Sequence, residues 1–375
     1  MNILFLDQFA DLGGAQRGLL DLLPAILQRG WSAEAAVPGE GELPARLRAL
    51  GVKTHAIPCG PYQAGRKGPG DLMRFATDVP RQAARLKRIM ESGRMDLLYV
   101  NGPRLLPAAA MSAGKRPLVF HAHSVLSSPW QARVAGASLG WRRAFAIACS
   151  HFVARAFSRW VPPTQMRVVY NGVCSDPLAT SRTPAPPRIG FVGRIAPEKG
   201  TLAFLSAARL LLDEHPDCEF VICGAALFGD TSYEKAVRAA AGDLPVEFLG
   251  WREDAGSVMA TMDVLAVPSS AAEAATRVIL EAGAAGIPVV AYRAGGIPEV
   301  VQSGLTGLLV DPTPAALAAG CSALLSNAGT RDAMGRAARI HWRERFTLER
   351  YRDEMIAALE EIRSATCATS ADHPR

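Results

Sequence analysis

The chain of 375 residues has seven cysteines, an odd number, and no two of them form a C-x-x-C pair. That argues against a disulfide framework and against a structural zinc site, and leaves buried or bystander thiols in a reducing compartment. Nowhere do about 18 apolar residues follow one another, so no membrane-crossing helix is expected. The apolar run Asn2–Leu6 stops at Asp7, too soon for the hydrophobic stretch of a signal peptide. Lysine is scarce, six residues against 35 Arg, so a lysine inside a motif is not interchangeable surface charge. Aromatics make up 7% of the chain and form no stacking series, and with no recognisable nucleic-acid module they argue against that partner.

What is present is an ordinary globular balance, 49% apolar and 20% charged, in a length that favours two domains. The net charge of +6 is unevenly spread: residues 1–181 carry +11 and residues 182–375 carry −5. Residues 61–160 hold 16 basic against 4 acidic side chains. A polyanion or an anionic membrane surface would suit that half; a solvated Arg-rich surface is the plain alternative.

Apolar runs and amphipathic stretches alternate along the chain. Strands are expected at 2–6, 33–37, 54–57, 96–100, 117–121 and 144–148, with a basic helix over 78–90 and Ser150 capping the helix after the last of them. The proline-rich stretch 175–187 reads as a linker. The pattern restarts with strands at 188–192, 219–223, 246–249, 264–267, 288–291 and 307–310, a helix over 201–213, and a helical segment from Pro314 to about Ser364. Two doubly wound α/β domains with parallel sheets follow, facing each other across a cleft, with ligands beyond the carboxyl ends of the strands. The loops after Leu6, Val192, Cys223, Val267 and Ala291 are the expected site.

Three loops carry chemistry. In Phe191-Val-Gly-Arg-Ile-Ala-Pro-Glu-Lys-Gly200, Arg194 and Lys199 lie beside a helix start, an arrangement suited to a diphosphate; an ordinary connection with solvated charges is the alternative. In the second, Glu273 and Glu281 stand eight residues apart around a helix start, which leaves about 80° between their directions and lets both border one ligand. Early helical glutamates also simply favour the helix dipole. The third, Ala294-Gly-Gly-Ile-Pro-Glu-Val-Val301, is a tight double-glycine turn after a buried strand.

These loops, with Gly13-Gly14, Tyr170-Asn-Gly-Val173 and Leu249-Gly-Trp-Arg252, resemble in order the retaining glycosyltransferases of family four, of the GT-B fold with two Rossmann-like domains. The resemblance runs from about residue 2 to residue 350 and is most specific over 165–311. It implies catalytic roles for Arg194 and Lys199, on the donor diphosphate, for Glu273, beside the transferred sugar, and for His123, near that sugar. Donor-binding roles are implied for Gly13, Gly14, Gly193, Thr276, Arg277 and Val278, for Glu281 on the ribose, and for Trp251 and Arg252 near the base. His121 reads as a core or surface histidine. Where the family usually has a glycine, this chain has Glu273-Ala-Ala-Thr276, which lets the Thr276 hydroxyl meet phosphate, alters the sugar pocket or weakens the activity; Gln16 stands where Glu is frequent.

The resemblance implies an acceptor-side domain over 1–174 and a donor-binding domain over 188–340. A helix in 341–375 would pack back on the first domain and end in a disordered tail. The implied activity is transfer of a sugar from a UDP- or GDP-sugar to a hydroxyl of a glycan or lipid-linked acceptor, in cell-surface polysaccharide or glycolipid assembly. No cofactor or metal is expected. The expected place is the cytoplasm, peripherally on the inner face of the membrane, where Trp130 to Trp141 offers a surface. The alternatives are a GT-B epimerase or hydrolase and a non-catalytic nucleotide-sugar-binding partner.

Overall fold

Central strands of a parallel sheet are covered on both faces and must be apolar throughout, whereas edge strands can carry charge. In the computed structural model, which describes residues 1–60, 68–126, 128–174, 186–226, 231–269, 273, 274 and 276–371, the chain follows this rule. The expected linker and tail lie largely outside those residues, at 175–185 and 372–375.

The chain divides into two compact units, one of Met1–Tyr170 with Glu349–Arg375 and one of Asn171–Leu348. The first holds β1 (Asn2–Leu6), β2 (Ser32–Val37), β3 (Lys53–Ala56), β4 (Leu97–Val100), β5 (Leu118–Ala122), β6 (Phe145–Ala148) and β7 (Met166–Val168). They form one parallel sheet in the order β3-β2-β1-β4-β5-β6-β7. The order in which successive strands are added reverses between β1 and β4, and Ile3–Leu6 and Leu97–Val100, in the strands at that switch, are all but fully buried. The edges β3 and β7 carry Lys53, His55 and Arg167.

The second unit holds β8 (Arg188–Val192), β9 (Glu219–Cys223), β10 (Val246–Gly250), β11 (Val264–Val267), β12 (Val289–Tyr292) and β13 (Gly307–Val310), again parallel, ordered β10-β9-β8-β11-β12-β13. Its switch point lies between β8 and β11. Phe191, Phe204, Phe220, Leu211 and Leu317 are among the residues of one core beneath this sheet. The two sheets are Rossmann-like, as the alternation of strands and helices implied.

Ser150 caps the helix His151–Phe157 as expected, its hydroxyl accepting from Val153 N at 3.3 Å. The basic helix is longer than the sequence suggested. It runs from Pro69 to Ser92, because Pro69 occupies its first turn, where no amide partner is lost, and Asp71 accepts from Gly68 N at 3.3 Å. Pro80 lies inside it rather than at its start. The segment after Pro314 is three helices, Pro314–Leu325, Ala328–Arg345 and Leu348–Ala371. Asn327 divides the first two by accepting from Thr330 N at 2.9 Å. A helix over Pro129–Arg142 and the strand β7 were not read from the sequence.

Cys59, Cys149, Cys174, Cys218, Cys223 and Cys321 are free, and among the described residues no helix is long and apolar enough to cross a membrane. Four of those thiols are buried, and burial pushes Cys223 up to about 11.

Candidate functional site

In the second unit, the residues singled out by the sequence lie at the carboxyl ends of β8, β10, β11 and β12. Gly193 follows β8, and its amide donates to Cys223 O at 3.0 Å, joining the loops after β8 and β9. Arg194 is paired with Glu198 at the start of a single 3-10 turn, Pro197–Lys199. Gly200 then adopts φ +75°, and a Cβ there would run into the carbonyl oxygen of Pro268 after β11. Only glycine satisfies both demands, and it launches the helix Thr201–Glu214 from the switch point, with its first amides free of intrahelical partners.

Lys199 forms an ion pair with Glu273, the two side chains 23% and 11% exposed. The Glu273 carbonyl accepts from Gly296 N at 2.9 Å, which ties the loop after β11 to the double-glycine turn after β12. Thr276, buried and extended, precedes the helix Arg277–Ala285. On that helix Arg277 Nε lies 3.8 Å from Glu281, with Val278 between them in sequence. Past β10, Trp251 is 38% exposed, and Arg252 donates to Asp254 at 2.7 Å; this bond holds the Asp254 carboxyl below its ordinary range and the guanidinium above it. Each candidate cation therefore has a carboxylate beside it. The lysine and the glutamate stand out in the sequence, but their meeting does not, because they are 74 positions apart, and Glu198 does not stand out as a partner.

In the first unit the Gly13-Gly14 turn follows β1, and Gly13 N donates to Gln16 Oε1 at 3.1 Å. His123 lies just past β5; its Nε2 is 2.7 Å from Asn101 Oδ1. His121, inside β5, is buried, and its Nδ1 lies 2.6 Å from Tyr99 Oη. Burial holds the His121 ring neutral, its pKa well below the ordinary range, and it lies tilted against the His123 ring with centroids 3.8 Å apart. Asp7 and Asn101 follow β1 and β4, and both are buried. Neither stands out in the sequence, where each is a single polar residue after an apolar run.

A cavity of about 230 Å³ also opens in this unit, at the helices Pro69–Ser92 and Pro129–Arg142. Leu72, Phe75, Trp130 and Val134 form its apolar lining, and Gln8, Asp71, Arg104, Ser124 and Gln131 its polar one. Phe75 and Trp130 meet edge to face at 6.0 Å, and the Arg104 guanidinium lies 5.4 Å over Phe9. Trp130 and Trp141 are 50% and 66% exposed, whereas Trp160 packs under Gly136 of the helix that carries them. No three His, Cys, Asp or Glu side chains converge as a metal donor set among the described residues.

The model of the family "Glycosyl transferases group 1" matches residues 186–327, and that of "Glycosyltransferase Family 4" matches residues 12–176. The phosphatidyl-myo-inositol mannosyltransferase of Mycobacterium leprae is 30% identical over 342 residues, 84% of each chain. The D-inositol 3-phosphate glycosyltransferase of Corynebacterium kroppenstedtii is 38% identical over 162 residues, 41% of this chain. The chain spans 36% to 44% of the length of that protein and of four further curated relatives it matches. Among solved structures, HepE of Anabaena in complex with UDP-glucose superposes with a TM-score of 0.81 at 27% identity, over 96% of this chain and 100% of that one. Sucrose-phosphate synthase of Thermosynechococcus elongatus, at 20% identity and a TM-score of 0.79, covers 97% of this chain and 99% of its own and shares the fold. With both halves matched in order and the fold shared end to end, the chain belongs to glycosyltransferase family 4, of the GT-B fold.

Proposed function

We propose that the protein is a retaining, metal-independent glycosyltransferase that moves a hexose from a UDP-sugar to an acceptor hydroxyl. The observation that carries the reading is the Lys199–Glu273 pair at the switch point of the second unit, beside the start of the helix Thr201–Glu214. HepE, crystallised with UDP-glucose, supports the choice of base and sugar class.

In this reading a diphosphate draws Lys199 and Arg194 away from their carboxylates, and the helix amides complete its cradle. Glu273, released from the lysine, accepts from a hydroxyl of the hexose, and Glu281 does so from the ribose. The bond from the anomeric carbon to the diphosphate oxygen breaks with its electron pair going to oxygen, where the two cations meet the new charge. The acceptor oxygen bonds the same face of the anomeric carbon, and its proton passes to the departing phosphate, which preserves the configuration. No side chain forms a covalent intermediate; positioning and charge stabilisation do the work.

The cavity of the first unit suits the acceptor. An aromatic pair offers faces to the C–H side of a polyhydroxylated ring, and amides, a carboxylate and Arg104 offer partners to its hydroxyls or to a phosphate. A glycan or a phosphorylated or lipid-linked polyol fits that lining, and relatives named for inositol phosphate and phosphatidylinositol support the choice. The exposed tryptophans and neighbouring arginines would hold the protein peripherally on the inner face of the membrane.

The test is release of UDP from UDP-glucose, UDP-galactose and UDP-N-acetylglucosamine, with and without inositol phosphate, phosphatidylinositol or oligosaccharide acceptors. Acceptor-dependent release, lowered about a hundredfold or more in Lys199→Ala, is expected. Release indifferent to acceptor would make the protein a hydrolase or epimerase, and UDP binding without turnover would make it a binding partner.

A further inference from the structure

Four polar side chains meet at the switch point of the first unit. Asp7 is fully buried, and each of its oxygens lies 2.9 Å from Gln16 Nε2. Asn101 Nδ2 donates to Asp7 Oδ2 at 2.6 Å and to Ala15 O at 3.2 Å. An amide nitrogen held between two acceptors cannot be turned over without setting its oxygen against them, so Asn101 Oδ1 must face His123. The 2.7 Å contact from that oxygen to His123 Nε2 then requires the imidazole proton on Nε2. The same logic applies to Gln16: its nitrogen is turned to Asp7, which leaves Oε1 to accept from Gly13 N at 3.1 Å.

We propose that Asp7 is a positioning residue that sets the Nε2–H tautomer of His123 through Asn101 and the turn at Gly13 through Gln16. The inference rests on the reading of His123 and the Gly13-Gly14 turn as donor-site groups. In its neutral form a ring with its proton on Nε2 has its lone pair on Nδ1, so a sugar hydroxyl that reached Nδ1 would meet an acceptor and not a donor. One buried carboxylate thereby orders two groups expected to meet different parts of the same donor. Burial pushes the Asp7 carboxyl up to about 6, so above that pH it is an anion that only accepts, as both amides require.

The wild-type full chain, labelled with ¹⁵N, decides the first point by two-bond ¹H–¹⁵N correlation of its histidine rings at pH 8, with His123 assigned by its loss in His123→Gln. A single Nε2–H form is expected; an Nδ1–H form or a mixture overturns the proposal without any variant having to fold. Asn at position 7 has one acceptor oxygen in place of two, and the oxygen that accepts from the fixed Phe9 N at 2.9 Å must stay, so the new Nδ2 is set against Asn101 Nδ2 and Asn101 turns. Asp7→Asn and Asn101→Ala are expected to abolish the single tautomer and to lower UDP-glucose turnover about ten- to hundredfold. A tautomer unchanged in both folded variants overturns the proposal. The expected tautomers with no turnover of UDP-glucose by the wild type, whatever the acceptor, would sink the transferase reading and leave the orientation of His123 by Asp7 standing.

Discussion

Loss of hydration pushes the Asp7 carboxyl up to about 6 from an ordinary 3.8, against the opposing pull of hydrogen bonds from Asn101, Phe9 N and Gln16. The native chain therefore binds more protons than the unfolded chain between those values. The stability this group contributes is full below about pH 4 and is lost as pH rises through 6, a swing of about 3 kcal/mol. The difference in unfolding free energy between Asp7→Asn and wild type should move by that amount between pH 4 and 7 in favour of the variant, and urea titrations at both pH values would show it. Gln16→Glu would set a second carboxylate against the first. We expect it to cost about 1–3 kcal/mol at pH 7 and less at pH 5, by the same measurement. At this scale the sequence was legible where a residue type is rare or conformationally special. Lys199, one of six lysines, and the Gly13-Gly14 turn could be picked out. Asp7 and Asn101 could not, since an acid or amide after a strand acquires meaning only when two distant strands lie side by side.

Strands and turns show the same division. Central strands such as β8 and β11 were read to the residue because burial on both faces demands an unbroken apolar run. The edge strand β7 escaped: it has three residues, one of them Arg167, which answers to Glu361 and not to a core. The helix Pro129–Arg142 escaped as well, because its apolar residues form no stripe and its buried residues are Leu139 and the small Ala135, Gly136 and Ser138. Gly200 is the turn with the sharpest consequence. Gly200→Ala would combine a left-handed backbone with a collision at Pro268 O, and a loss of about 1–3 kcal/mol is expected from the backbone strain alone. Thermal unfolding would register it, together with weakened UDP binding, as the helix start moves. Ser150→Ala removes only a cap and should cost about 1 kcal/mol with UDP binding unchanged.

Over the whole molecule, the surplus of basic residues belongs to the first half, and part of it lies on the helix Pro69–Ser92, with Arg74, Arg81, Arg85, Lys87 and Arg88. Sedimentation with anionic vesicles should show binding at low salt that falls steeply at high salt and weakens in the double variant Trp130→Ala, Trp141→Ala; neutral vesicles should not bind. From Glu349 onward the helix Leu348–Ala371 is part of the first unit. Tyr351 is fully buried and donates to Gly18 O at 3.0 Å, Arg352 donates to Asp21 O at 2.7 Å, and Arg29 pairs with Glu360 at 2.6 Å. The second unit, by contrast, is one uninterrupted stretch, Asn171–Leu348. On the ribosome the order of completion is therefore the reverse of the order of synthesis. The first sheet emerges first yet must wait, the contacts of Gly18, Asp21 and Arg29 with this helix unmade, until the second unit has been made. Over that interval the apolar surface that Tyr351 covers is open to aggregation.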